Sequence, residues 1–211
     1  MIKTTNSFYQ EMVTQKSWQI LQNLKKQVAF ILIGGWAVFL YTNSLKSKDI
    51  DVIIDYGQLE DLKRTGNVYK NERLRKYEIK REGVDIDIYL PFFSRVGLPA
   101  EELVTYATSK ETFSLLKKEI LAVTKIAAYV ARKASIKGRK DLIDIISLLL
   151  LDDFDYVFFK KILKKYNLHE YNEVVNVIFS KTKDIPELGL NRHFFAKRKK
   201  EIVSRLTNRG T

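Results

Sequence analysis

The chain has 211 residues, with 37 Lys and Arg against 25 Asp and Glu, a formal net charge of +12, and 45% hydrophobic residues, a composition that argues for a folded globular protein and favours a polyanionic partner such as RNA, DNA or nucleotide phosphates over the other reading, a lysine-rich surface. Cysteine is absent, so disulfides, zinc–thiolate sites and thiol catalysis are excluded. No apolar run approaches the roughly 20 residues of a membrane span, and Met1 to Asn6 carries no signal-peptide core, so a cytoplasmic protein with no membrane partner is expected.

In chain order, residues 6–27 read as a helix, with Phe8, Met12, Trp18, Leu21 and Leu24 at roughly helical spacing. An apolar run, Ala29 to Ile33, reads as a strand that ends on Gly34-Gly35. A helical turn through Trp36 to Tyr41 follows. The polar loop Thr42 to Lys48 then leads into a strand at 50–54. Residues 58–65 suit a short helix. Arg73–Arg81 and Val84–Leu90 read as a β-hairpin around Glu82-Gly83. In its second arm Val84, Ile86, Ile88 and Leu90 alternate with Asp85, Asp87 and Tyr89, the pattern of a half-buried strand with one carboxylate face. From about 117 onward the pattern is helical, over 118–133, 139–151, 153–166, 170–180 and 192–206. The chain thus reads as an α+β unit with an N-terminal helix, residues 1–116, followed by a C-terminal helical domain, residues 117–211, with a basic tail. From Lys181 the tail has nine Lys and Arg against three acids, densest at Lys197-Arg198-Lys199-Lys200. Salt-sensitive nucleic-acid contact and a solvated helix face are the two readings of that run.

The chemistry concentrates in the first unit. Asp49 and Asp51 are two residues apart at the mouth of a strand, so their carboxylates share a face. Like charges so close repel unless a cation sits between them. Magnesium takes oxygen ligands from one or two carboxylates and completes its shell with water and phosphate. Gly34 and Gly35, at a helix start, would let backbone amides approach a triphosphate. Lys46 and Lys48, just before the aspartates, are candidate phosphate contacts or plain surface lysines. If the hairpin arm pairs with the Asp49–Asp51 strand, Asp85 or Asp87 adds a third acid, and such a cluster suits two-metal catalysis. Asp87 is favoured because it lies well inside the strand. In the helix at 118–133, Leu121, Lys125, Ala128 and Arg132 share a face. Lys125, amid apolar neighbours, must snorkel or meet an anion, so it is a candidate triphosphate contact. Asp141, near the next helix start, is a cap or a partner that holds Lys125 or Arg132 in place. His169 and His193 are far apart in sequence, and no Gly-Lys-Thr phosphate loop occurs.

An apolar strand, Gly34-Gly35, Asp49-Ile50-Asp51 and a third acid on a neighbouring strand resemble the DNA polymerase β-type nucleotidyltransferase superfamily. The lysine-bearing helix and Lys140-Asp141-Leu142-Ile143-Asp144 most resemble the AbiEii/MenT-like nucleotidyltransferase toxins. The likeness spans about residues 29–150. The arginine and the threonine or serine usual before Asp-x-Asp are replaced by Lys46 and Lys48. The resemblance implies a small mixed-sheet nucleotidyltransferase core with flanking helices, and transfer of an NMP from an NTP to an acceptor hydroxyl. It implies Asp49, Asp51 and Asp87 on two magnesium ions, with Gly34, Gly35 and Lys125 holding the triphosphate. It further implies an RNA (tRNA 3′ end) or protein acceptor, and an antitoxin partner. The competing reading is an inactive nucleotide- or RNA-binding module of the same fold.

Overall fold

The computed structural model describes residues 5–133 and 135–207. The chain falls into two compact units, one comprising residues 1–40 and 46–116, the other residues 41–45 and 117–211.

The first unit is built on a seven-stranded mixed sheet. Its strands are β1 (Ile31–Ile33), β2 (Ile50–Ile53), β3 (Tyr69–Asn71), β4 (Lys76–Arg81), β5 (Val84–Tyr89), β8 (Ala107–Lys110) and β9 (Phe113–Leu116), and β6 (Arg95–Val96) with β7 (Leu98–Pro99) forms a separate ribbon. The order across the large sheet is β3-β4-β5-β2-β1-β9-β8. β1 runs antiparallel to β2, whereas β2–β5 and β1–β9 are parallel. The β4–β5 hairpin closes on Glu82 and Gly83, both at positive φ (53° and 81°). That two-residue, left-handed geometry matches the right-handed twist of the flanking strands.

One face of the sheet is dry. Leu32, Ile50, Val52, Ile86, Ile88 and Leu115 are each at most 1% exposed. Helix α1 (Thr5–Gln27) contributes Ser17, Ile20, Leu21 and Leu24 to the core, and Trp36 Nε1 donates to the buried Ser17 Oγ at 2.9 Å. Met12, read from its spacing as part of the apolar stripe, is instead 54% exposed. The buried stripe is shifted around the helix, and the side chain of Phe8 lies outside the described residues. Helix α2 (Gly34–Thr42) begins on Gly34 itself, with no intervening loop. Helix α3 (Tyr56–Thr65) is capped by Asp55, whose carboxylate accepts the Gln58 N–H, while the Gln58 side chain accepts the Ala29 N–H at 2.7 Å and ties the helix to the entry of β1. A short helix, α4 (Ala100–Val104), precedes β8.

The second unit comprises α5 (Lys118–Arg132), α6 (Ile136–Leu149), α7 (Tyr156–Lys165), α8 (Glu170–Lys181) and α9 (Arg192–Thr207). Residues 41–45, which the sequence pattern placed in the first unit, belong by contact to this one. Ser44 Oγ donates to Ser147 Oγ at 3.4 Å, and burial beside Glu119 and Asp153 pushes the Tyr41 hydroxyl up to about 12. Gly138 lets α6 start hard against the end of α5, for a Cβ there would lie 2.3 Å from the Arg132 carbonyl oxygen.

Candidate active site

The acids of the first unit are brought together by strand register. Asp51 is the Cα partner of Asp87 across the parallel β2–β5 pair, and Asp87 is in turn opposite Glu78 on β4. Cross-strand partners project to the same face, so the three carboxylates line up on the side of the sheet away from the dry core. Asp85 lies on that face too but is exposed and opposite Lys80. Of the two candidates for a third acid, Asp87 is therefore the one set beside Asp51. Asp49 stands half-buried, one residue ahead of β2.

Burial pushes the Asp87 carboxyl up to about 6, the Lys76 hydrogen bond pulls it down, and the Asp51 and Glu78 charges push it up again. Its counter-ion is Lys76, whose Nζ lies 2.6 Å from Asp87 and 3.1 Å from Glu78. Glu78 also accepts from Asn71 Nδ2 at 2.8 Å. The two hydrogen bonds hold the Glu78 carboxyl below the usual range.

Gly34 completes the arrangement. Its φ is +66°, and a Cβ there would stand 2.1 Å from Asp51 Oδ2 and 2.6 Å from Asp51 Cγ. The carboxylate of Asp51 thus occupies the volume that any larger residue would need, and only glycine tolerates both the dihedral and the contact. The first turn of α2 starts directly beside it, so the unpaired N–H groups of that turn and an acidic face share one corner.

Donor chemistry fits a hard divalent cation: Asp49, Asp51 and Asp87 offer carboxylate oxygens, and a carboxyl raised by burial and by like-charged neighbours is one that a cation stabilises. Among the described residues, no group of three or more His, Asp or Glu side chains already stands arranged to hold a metal ion. Lys76, which spacing did not single out, is the cation that bridges Asp87 and Glu78.

The lysines before Asp49 divide. Lys46 lines a cavity of about 350 Å³ with Trp18, Trp36 and Phe39, and Lys48 is exposed on the loop. In the second unit, Lys125 is 2.7 Å from Asp144 Oδ2 and 3.6 Å from Asp141 Oδ1, and Arg132 grips Asp141 with Nε at 2.8 Å and a second nitrogen at 3.1 Å. Asp144 is fully buried, and neither of its oxygens accepts an aligned hydrogen bond. The Lys-Asp-x-x-Asp spacing places both acids on one helix face, but that Asp144 faces Lys125 emerges only from the packing of α5 on α6. In the basic tail, Arg198 binds the Leu150 carbonyl, Asp152 and Glu201, and Lys199 donates to the carbonyls of Ser180 and Thr182. Two of the four cations in the densest run therefore fasten α9 to its own unit.

The seven-stranded mixed sheet with its flanking helices is a nucleotidyltransferase-like fold, by its likeness to a solved structure. One solved structure carries the likeness in fold, and two others resemble the chain more weakly. A Helicobacter pylori protein described as a "putative nucleotidyltransferase" is 14% identical over 99% of this chain and 100% of its own, with a TM-score of 0.50. JHP933 from Helicobacter pylori is 14% identical over 97% of this chain and 93% of its own, at a TM-score of 0.49. An antigenic nucleotidyltransferase-like protein from Paracoccidioides brasiliensis is 17% identical over 65% of this chain and 75% of its own, at a TM-score of 0.40. No protein-family model and no curated protein matches the chain.

Proposed function

We propose that the protein is a magnesium-dependent nucleotidyltransferase that moves an NMP from a nucleoside triphosphate to an acceptor hydroxyl. The observation that carries this reading is the register of Asp51 on Asp87, with the Asp51 carboxylate filling the place of a Gly34 side chain. Asp49, Asp51 and Asp87 would hold the divalent metal, which when bound supplies Lewis-acid stabilisation of the charge that builds on the transferred phosphoryl group. The amides of the first turn of α2, beginning at Gly34 and Gly35, would orient the triphosphate. Asp87 would also take the proton of the acceptor hydroxyl. The acceptor oxygen would bond to the α-phosphorus as its proton passes to Asp87. The bond from that phosphorus to the β-phosphate bridging oxygen breaks, and pyrophosphate leaves with the electron pair. Triphosphate or substrate roles for Lys46, Lys48, Lys125 and Arg132, with Asp141 holding Lys125 or Arg132 in place, enter the proposal from the sequence reading alone.

In the same proposal the protein is a toxin-like enzyme, similar to the AbiEii/MenT group, with an RNA acceptor such as a tRNA 3′ end and an antitoxin partner. The net charge of +12 supports an RNA acceptor. Among the described residues no helix is long and apolar enough to cross a membrane. The test is label transfer from each α-labelled NTP to total RNA and to protein. Asp49→Ala and Asp51→Ala should each abolish transfer, and activity retained in either would overturn the assignment of that residue. One observation favours the inactive-module alternative, namely the Lys76 ammonium seated on Asp87. That alternative predicts NTP or RNA binding with no transfer from any NTP.

A further inference from the structure

The turn after β5 holds an aromatic ring out into water by means of a strained backbone. Phe92 has φ +63° and is 81% exposed. A bulky L-residue is rarely found in the left-handed region, and it persists there only where its surroundings over-determine it. Here they do. Leu90 N–H donates to Ser94 Oγ at 2.9 Å, and Ser94 N–H returns to the Leu90 carbonyl at 2.9 Å. Phe92 N–H donates to Glu101 Oε2 at 2.8 Å, and Arg75 Nε donates to the Phe93 carbonyl at 2.6 Å. The Tyr56 hydroxyl reaches the Pro91 carbonyl at 3.4 Å. A turn fixed at nearly every residue thus displays a phenyl ring that packs on little.

The surroundings are cationic. Lys70 Nζ and the Arg75 guanidinium lie 4.9 Å and 5.5 Å from the centre of the adjoining Phe93 ring. Residues 63–81 hold eight Lys and Arg against two Glu. Those two are already engaged, Glu72 with Lys70 at 2.7 Å and Glu78 with Lys76 at 3.1 Å, and Glu101 is turned to the Phe92 N–H. An exposed ring, one residue along from a second ring flanked by cations, matches an unpaired base on a phosphate backbone, because every base has a π-face and every linkage a negative charge. A duplex offers no base face to stack on.

We propose that the Phe92 turn, with Lys70 and Arg75, is a stacking platform for single-stranded nucleic acid. This deepens the RNA-acceptor reading of the proposed function, but binding here requires neither NTP nor metal. The test is fluorescence anisotropy with a labelled single-stranded RNA oligonucleotide, without NTP or divalent metal. Phe92→Ala should weaken binding by about fivefold to a hundredfold, the range of one lost base–aromatic stack. Phe92→Trp should restore it. Phe92→Leu, apolar but without a π-face, should behave like Phe92→Ala. Affinity for a duplex of the same sequence should be the same in all four proteins. Unchanged single-strand affinity in Phe92→Ala, full affinity in Phe92→Leu, or an equal loss on the duplex would each overturn the platform. Should circular dichroism show Phe92→Ala misfolded, the Leu and Trp pair decides alone. Loss of label transfer with this pattern intact would count against catalysis and leave the platform standing.

Discussion

The contact between Gly34 and Asp51 can be tested by adding one carbon. In Gly34→Ala the new Cβ would meet Asp51 at 2.1 Å from Oδ2, 2.6 Å from Cγ and 2.8 Å from Cβ. These distances demand a shift of more than an ångström by one partner, and Asp51 is fixed in β2 between β1 and β5. The backbone adds a second cost, since φ is +66° and an L side chain in that region costs about 1–2 kcal/mol. Gly83 separates the two costs. Its φ is +81°, but nothing lies within 4 Å of a Cβ added there. Gly83→Ala should therefore lose only the backbone cost, about 1–2 kcal/mol. Gly34→Ala should lose that plus about 1–3 kcal/mol for forcing a group into occupied space. Urea unfolding of the three proteins measures the difference. A displaced Asp51 should also slow label transfer by about a hundredfold, the effect of an ångström-scale misplacement, while Gly83→Ala transfers normally. Equal stability of the two variants would refute the close contact, and normal transfer by Gly34→Ala would refute the role given to Asp51.

Asp87 carries a pH dependence of definite sign. Its carboxyl is raised from 3.8 to about 6 in the folded protein, so the native state binds the extra proton between those values and stability falls as pH rises through that window. The wild type minus Asp87→Asn difference in unfolding free energy should therefore decline from pH 4 to pH 6 and level off above it; a flat difference would contradict the shift. Lys76→Met removes the hydrogen bond that pulls Asp87 down, so carbon-13 NMR of the Asp87 carboxyl should show it titrating higher than in the wild type, and a lower midpoint would contradict the Lys76 pairing. The same variant, with one competing cation gone, should bind Mn²⁺ about tenfold more tightly by calorimetry or electron paramagnetic resonance; unchanged or weaker binding would show that Lys76 does not compete for the carboxylates. In the second unit, Lys125→Met should destabilise by about 3–5 kcal/mol because it strands the fully buried Asp144 without its cation. The double variant Lys125→Met, Asp144→Leu should recover most of that loss.

How much the sequence revealed depended on range. The alternation Val84, Ile86, Ile88, Leu90 is a local signal of period two, and all four side chains are buried, three in β5 and Leu90 just after it. Glu82-Gly83 marks its turn just as locally. The five C-terminal helices follow from the 3.6-residue period, and each lies within a few residues of its expected span. By contrast β3, β8 and β9 were not legible. Ala107-Thr108-Ser109-Lys110 has neither apolar alternation nor a glycine turn, since its hairpin closes on Glu111 at φ +53°. β9 is a strand because it pairs in parallel with β1, far away in the chain.

The site divides in the same way. The glycine pair, the Asp-x-Asp spacing and the acid-bearing face of β5 are written in consecutive residues, where backbone geometry alone decides which side chains share a side. Whether Asp85 or Asp87 joins Asp51 is a question of register between β2 and β5, and a slip of two residues would exchange them with no change in local pattern. Tertiary structure decides it for Asp87, through four paired positions from Ile50–Ile86 to Ile53–Tyr89. It also decides that Lys76 and Glu78 close over that acid, that Lys125 meets Asp144, and that half of the densest basic run serves as fastening. Local sequence determines the face on which a charge stands. The charge that stands opposite is chosen by packing, because the β2–β5 register and the seating of α5 on α6 each bring together residues distant in the chain.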